Sequence, residues 1–331
     1  MLKYCIRDVE LTAKVYNTLI PELKKFSPRS IKLEHQVRAI IDKQEDNGFA
    51  LDIPQAMQMV AKLSDEANQI KENLQAVFPP IVEVRYSDKT GKRLKDKVTV
   101  FNPSSRQQIA DRLMGLGWKP TKHTEKGHVI VGEEILETID LEEAKLLSRY
   151  LLLEKRATQI QSWISAVKED GRVHGKVWTL GTITGRMTHT SPNMAQIPAV
   201  YSPYGKECRS VWTVTDTRYS LLGCDASGLE LRTLAHYMDD PAFIKEVIEG
   251  DVHTANQQAA GLPTRDNAKT FIYAFLYGAG ASKIGKIING SAKDGQRLID
   301  NFLENMPALK SLRHKVDKLS GRGYLLGLDG R

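Results

Sequence analysis

Apolar residues recur at helical spacing through much of the first half of the chain. Lys3 to about Leu23 carries that pattern and ends in the breaker-rich KKFSPRS. From Leu33, LEHQVRAIIDKQEDNG repeats apolar residues at Val37, Ile40 and Ile41 and stops at Gly48, a C-terminal helix signal. Another helix starts at Asp52, a natural N-cap with Pro54 in its first turn, and runs to about Val77 before Pro79-Pro80 end it. Between there and Phe101, two alternating β-branched stretches flank a turn at Thr90-Gly91, which predicts a hairpin. FNPSSRQQIADRLMGLGW opens a short helix capped by Ser104 or Ser105, and Leu141 to about Val167 forms a long one.

After Val167 the pattern changes to short strands and turns, GRVHGKVWTLGTITGRMTHTSPN. In YSLLGCDASGLELRTLAHYM an apolar strand pattern from Leu221 to Cys224 delivers Asp225 to its end, followed by a tight turn and an amphipathic helix. In GDVHTANQQAAGLPTRDNAKTFIYAFLYGAG, Thr264 caps a helix on which Arg265, Lys269, Tyr273 and Tyr277 recur every four residues. Those four share a face that drifts about 40° per step over roughly 18 Å. The chain is mostly helical up to Val167 and mixed afterwards, without internal repeats or low-complexity tracts.

Composition adds less. At 331 residues with 41% hydrophobic content there is room for two or three domains with a buried core. Lys and Arg exceed Asp and Glu by 47 to 40, giving net +7, which favours a polyanionic partner. Lys89, Lys92, Arg93, Lys95 and Lys97 crowd the expected hairpin, either as a solvated turn or as a contact to a DNA backbone. Cys5, Cys208 and Cys224 are scattered, which indicates neither a disulfide framework nor a zinc site. The start lacks a signal-peptide pattern, and no apolar run approaches the ~20 residues needed to span a bilayer. A soluble cytoplasmic protein is expected, in the host cytoplasm if viral, with no membrane partner.

Two segments carry candidate chemistry. The Asp225 carboxylate and the Ala226 carbonyl are hard oxygen donors suited to Mg²⁺, with phosphate oxygens filling other positions; a helix cap or turn residue explains a lone strand-end Asp as well. Arg265 and Lys269 at the positive end of their helix, with Tyr273 and Tyr277 further along, make a cradle for a nucleoside triphosphate. The same spacing suits a surface stripe above a core-facing tyrosine pair. Free backbone N–H groups after Ser104 and Ser105 suit a phosphate, and capping explains those serines equally.

DASGLELR resembles the first carboxylate motif of family A DNA polymerases, and RDNAKTFIYAFLYG resembles their nucleotide-binding finger helix. TGRMTHTSPNMAQIP is similar to the primer-contacting segment, DVHT to a phosphate-binding motif, and EHQVRAIIDKQEDNGFALD to the start of the thumb. Tyr4-x3-Asp8 resembles the third motif of the attached 3′–5′ exonuclease; FNPSSR and GLDGR look bacteriophage-type. The resemblance implies an α+β, right-hand polymerase architecture, truncated, with a helical thumb, a partial antiparallel palm sheet and helical fingers. The implied divisions are an exonuclease remnant over 1–26, thumb over 27–167, partial palm over 168–250 and fingers over 251–331.

It further implies a DNA-directed DNA polymerase, a nucleotidyltransferase of DNA replication, acting on a DNA primer-template and dNTPs with two Mg²⁺ ions. Asp225 would bind metal and Ala226 would offer its carbonyl. Glu230 would lie under the incoming sugar and exclude a 2′-hydroxyl. His253, Arg265 and Lys269 would bind the triphosphate, with Lys269 also protonating pyrophosphate. Tyr273 would stack on the nucleotide and Tyr277 would border the template. Arg186, Asn193 and Gln196 would reach the duplex minor groove.

Two departures matter. The family takes a second catalytic Asp from a later His-Asp-Glu hairpin, and no such tripeptide occurs in this sequence. The exonuclease's remaining acidic motifs would precede Met1, which leaves Asp8 without partners and no proofreading to expect. A split gene, an interrupted coding sequence or a truncated product accounts for this, and a C-terminal polymerase fragment is the expected partner. Some phage relatives recruit thioredoxin through a long thumb insertion; only the Val82 to Val100 hairpin occupies that interval, so no thioredoxin dependence is expected. The alternatives are a catalytically inactive DNA-binding module and a single-subunit RNA polymerase, the latter disfavoured by Glu230 and by Tyr4 and Asp8.

Overall fold

The computed structural model describes residues 2–24, 26–216 and 218–330. They form two compact units, one of Glu34–Leu221 and one of the residues up to Leu33 together with those from Leu222 on. The chain opens with α1 (Leu2–Leu23), an amphipathic helix none of whose residues is buried. Next comes α2 (Pro28–Asn47), which stops at Gly48. There φ is +59°, and a Cβ would come within 2.9 Å of the His174 ring and the Val173 carbonyl, so both conformation and space select glycine.

After β1 (Phe49–Leu51), the Asp52 side chain accepts the Gln55 N–H at 3.0 Å and caps α3 (Ile53–Val77). Strands β2 (Ile81–Glu83) and β3 (Lys97–Thr99) pair antiparallel as the expected hairpin. Ser105, not Ser104, caps α4 (Arg106–Gly115); the Ser104 hydroxyl lies 3.0 Å from that of Tyr150 instead. The short α5 (Glu133–Leu136) leads to α6 (Glu142–Ser165).

Helices α3 and α6 pack together and bury apolar residues at three- and four-residue spacing, Leu63, Ala67, Ile70 and Leu74 on one and Tyr150, Leu153, Ala157 and Ile160 on the other. They share one core with Phe101, Ile109 and Leu113. Trp163, fully buried, packs on Trp212 with ring centroids 5.3 Å apart; burying such a side chain contributes about 1.5–3 kcal/mol.

Beyond α6 follow β4 (Arg172–Val173), β5 (Lys176–Trp178), β6 (Thr188–Thr190), α7 (Gly205–Ser210) and β7 (Trp212–Thr213). β1 is the centre of an antiparallel sheet ordered β4-β1-β7, and β5 and β6 form a separate hairpin.

The other unit contains α8 (Leu229–Met238), α9 (Pro241–Ile248), α10 (Val252–Ala260), α11 (Arg265–Leu276), α12 (Ala281–Ile287), α13 (Ala292–Asn305) and α14 (Pro307–Ser320). Asp240, Asp251, Thr264 and Ser291 cap α9, α10, α11 and α13 with their side chains. Phe271 of α11 meets Phe302 of α13 edge-on at 5.0 Å, at the heart of a second core with Leu231, Ile284 and Leu309.

One expectation is corrected. Leu221–Cys224 is not a strand: the chain there is irregular, no strand among the described residues pairs with it, and Leu222 is 94% exposed. An apolar run becomes a strand only when a ladder partner and a packed face are supplied. Among the described residues no helix is long and apolar enough to cross a membrane.

Candidate functional site

The α11 face is laid out as its spacing predicts. Thr264 accepts the Asn267 N–H at 3.1 Å and fixes the helix start. Ala268, Phe271 and Ile272 are buried, which turns Arg265, Lys269 and Tyr277 outward and leaves Tyr273 half-buried. Tyr273 packs against the core of this unit while Tyr277 is 60% exposed, so only one of the two tyrosines is core-facing.

Around that face the unit adds three contacts. Asp251, the N-cap of α10, takes Arg265 in a fork, Nε at 2.7 Å and Nη2 at 3.0 Å. The same carboxylate accepts the His253 and Thr254 N–H groups and the Thr254 hydroxyl. Arg265 first, and then the Thr254 hydroxyl, hold it well below the usual carboxylate range. The His253 ring centroid is 6.3 Å from that of Tyr273. Burial, then the charge of Arg265, pushes the His253 pKa down, so the imidazole is neutral near pH 7; its Nδ1 is buried without a hydrogen-bond partner. Burial, then Glu230, raises the Tyr273 pKa, and its hydroxyl stays protonated.

The third contact joins the two chemistry-bearing segments. The Tyr277 hydroxyl donates to Glu230 Oε1 at 2.9 Å, across 47 residues of sequence. Glu230 stands in the first turn of α8, just downstream of Asp225 and Ala226, and Gly228 at φ +60° makes the turn between them. Asp225 and Ala226 are exposed. No group of three His, Cys, Asp or Glu side chains able to hold a metal ion exists among the described residues. The Asp225 carboxylate and the Ala226 carbonyl, both hard oxygen donors, fit Mg²⁺ as one side of a coordination shell and not as a complete one.

In the Glu34–Leu221 unit, Arg186 sits at the exposed tip of the β5–β6 hairpin. Thr182 organises that tip: its hydroxyl accepts the Arg186 N–H at 2.9 Å, and its N–H donates to the Arg186 carbonyl at 3.2 Å. Asn193 caps the 3₁₀ turn Met194–Gln196 by accepting the Ala195 N–H, and the Gln196 carbonyl accepts from the Gln159 amide. All three expected duplex-contacting residues therefore lie on one hairpin and the turn after it. Tyr4 and Asp8 share an exposed face of α1.

Sequence reasoning gave no role to Asp251 or Glu45. Asp251 signals its cap by preceding a helix, but its fork with Arg265 spans 14 residues and has no local signature. Glu45 is a nearly buried carboxylate of α2 that accepts the Val177 N–H of β5, 132 residues away.

The fold is that of a polymerase domain. A solved structure, the POL domain of Pol1 from M. smegmatis in complex with DNA primer-template and dNTP, superposes with a TM-score of 0.74 over 90% of this chain and 52% of that one, at 20% identity. The model of DNA polymerase family A matches residues 82–331, and the chain belongs to that family. It is 34% identical over its whole length to the DNA-directed DNA polymerases of Enterobacteria phage T3 and Escherichia phage T7, and spans 62% of each. Each alignment runs over 433 positions against 331 residues here, so both relatives carry internal sequence that this chain lacks.

Proposed function

We propose that the chain supplies the nucleotide-binding and duplex-contacting parts of a DNA-directed DNA polymerase and polymerises when polypeptide outside these residues contributes the second catalytic carboxylate. The observation that carries this reading is the Glu230–Tyr277 hydrogen bond, which fastens the Asp225 segment to the helix bearing Arg265 and Lys269. One end of a dNTP and its sugar are thereby addressed from a single unit. Arg265 and Lys269 meet the triphosphate together with the α11 dipole. Neutral His253 donates an N–H to a phosphate oxygen. Tyr273 stacks on the nucleotide, and Glu230 lies beneath the sugar, where a 2′-hydroxyl would collide with it. Lys269 protonates the departing pyrophosphate. Asp225 and Ala226, together with the missing carboxylate, would hold magnesium, which would supply charge neutralisation at the reacting phosphate.

Arg186, Asn193 and Gln196 read the primer-template minor groove, where correct pairs present similar acceptors, so duplex fit is tested independently of sequence. The thumb, partial palm and fingers are assigned as residues 27–167, 168–250 and 251–331, with Tyr4 and Asp8 in the remnant of an exonuclease. The short β2–β3 hairpin supports independence from thioredoxin.

The test is reconstitution. This chain is mixed with a C-terminal fragment carrying the missing Asp, and extension of a primer is followed with dNTPs and with rNTPs. The reading expects extension only from the mixture, only with dNTPs, and none with Asp225→Asn. Robust extension by these residues alone overturns the dependence on polypeptide outside them. Primer-template binding with no extension by any mixture identifies an inactive DNA-binding module.

A further inference from the structure

The β5–β6 hairpin projects its tip from a narrow base of three paired residues, so what holds that base decides where the tip points. Lys176 pairs with Thr190 and Trp178 with Thr188, while Val177 lies opposite His189 between them. In an antiparallel ladder, backbone groups at alternate residues face away from the partner strand. The outward groups of Val177 are both taken by side chains of α2. Its N–H donates to Glu45 Oε1 at 2.8 Å, and its carbonyl accepts from Arg38 Nη1 at 2.8 Å. Arg38 and Glu45 stand two turns apart on one face of α2 and are themselves ion-paired at 3.1 Å. Lys176 Nζ closes the set at 3.0 Å from Glu45 Oε2.

A carboxylate only 9% exposed is costly unless every oxygen is satisfied, and here both are. The arrangement imitates a neighbouring strand: one acceptor and one donor, at ladder distance, on the outer edge of β5. That edge is thereby closed, and the hairpin is fixed to a helix of the α3–α6 core unit rather than left to pivot.

We infer that Glu45, with Arg38, is a positioning residue for primer-template binding, clamping β5 so that the tip presents Arg186 to the duplex. The inference rests on the duplex-contacting role proposed above for Arg186. Electrostatics alone predicts the opposite sign, because removing Glu45 raises the net charge and would tighten binding to a polyanion.

The experiment uses the whole chain with Glu45→Ala and Glu45→Gln, the latter keeping an acceptor for Val177. Two quantities are measured: hydrogen exchange of the backbone amides over residues 176–190 without DNA, and affinity for a labelled primer-template across a salt series. The clamp requires faster exchange in the hairpin with α3 and α6 unchanged, and affinity lowered on the order of tenfold in Glu45→Ala and less in Glu45→Gln. The slope of log affinity against log salt stays that of wild type, since no cation–phosphate contact is removed. Unchanged exchange, or faster exchange with equal or tighter binding, overturns the inference. A wild-type chain that fails to bind primer-template defeats the duplex-contacting role itself and takes the inference with it. If Glu45→Ala does not fold, Glu45→Gln decides by the same two readings.

Discussion

The hydroxyl of Tyr277 donates a 2.9 Å hydrogen bond to the Glu230 carboxylate, linking the end of α11 to the first turn of α8. On the function proposed above, this bond holds Glu230 beneath the sugar of a nucleotide lying along α11. In the reconstituted enzyme, Glu230→Ala opens that space, and incorporation of rNTP relative to dNTP should rise by roughly tenfold or more. Tyr277→Phe, which removes this one hydrogen bond and keeps the carboxylate, should give a smaller change in the same direction. Steady-state incorporation of matched rNTP and dNTP pairs measures both.

Asp251 does two jobs that substitution separates. Asn keeps a side-chain oxygen for the His253 and Thr254 N–H groups but breaks the charged fork with Arg265; Ala removes both. Caps matter more to stability than exposed ion pairs. Asp251→Ala should therefore lower Tm on the order of 2–4 °C, and Asp251→Asn by less. Thermal unfolding followed by circular dichroism supplies the comparison, and equal losses would assign the stabilisation to the fork.

Tyr273 is half-buried beside His253 with its hydroxyl protonated. On the function proposed above, that hydroxyl stands in for a missing nucleotide 3′-OH as a hydrogen-bond partner. Reconstituted wild type should accept dideoxynucleotides readily, while Tyr273→Phe should discriminate against them roughly tenfold to a hundredfold, the effect of one unmade hydrogen bond. Competition between ddNTP and dNTP for chain termination reads this out.

The clamp at Glu45 carries a pH signature. The Val177 N–H first, then Lys176 and Arg38, lower its pKa from 4.5 to about 2. A carboxyl whose folded pKa is depressed contributes stability that is complete above its unfolded value and is lost as pH falls. Wild type and Glu45→Gln should differ most in urea midpoint at neutral pH, and the gap should narrow between pH 4.5 and about 2. A gap independent of pH would remove the charge from the account.

What could be read from the sequence is what local chemistry decides. Asp52, Ser105 and Thr264 cap helices because a short polar side chain before an apolar periodic run satisfies orphan N–H groups, and the Arg265–Tyr277 stripe follows from four-residue spacing. The motif resemblance carried the family and the fold class. What failed or was missed depends on distant partners. Leu221–Cys224 has a strand's composition without a strand's neighbour, β1 finds β4 and β7 more than a hundred residues away, and neither Asp251–Arg265 nor Glu45–Val177 leaves a trace in residue spacing.

The unpaired Leu221–Cys224 stretch has a practical outcome for anyone making this protein. Its two leucines, Leu221 at 54% and Leu222 at 94% exposure, leave apolar surface on which a second molecule can associate. Self-association seeded there grows with concentration, so yield of monomer should improve at low expression temperature and in dilute handling. A solubilising charge at Leu222 would spare the folded units, because that side chain contributes to neither core.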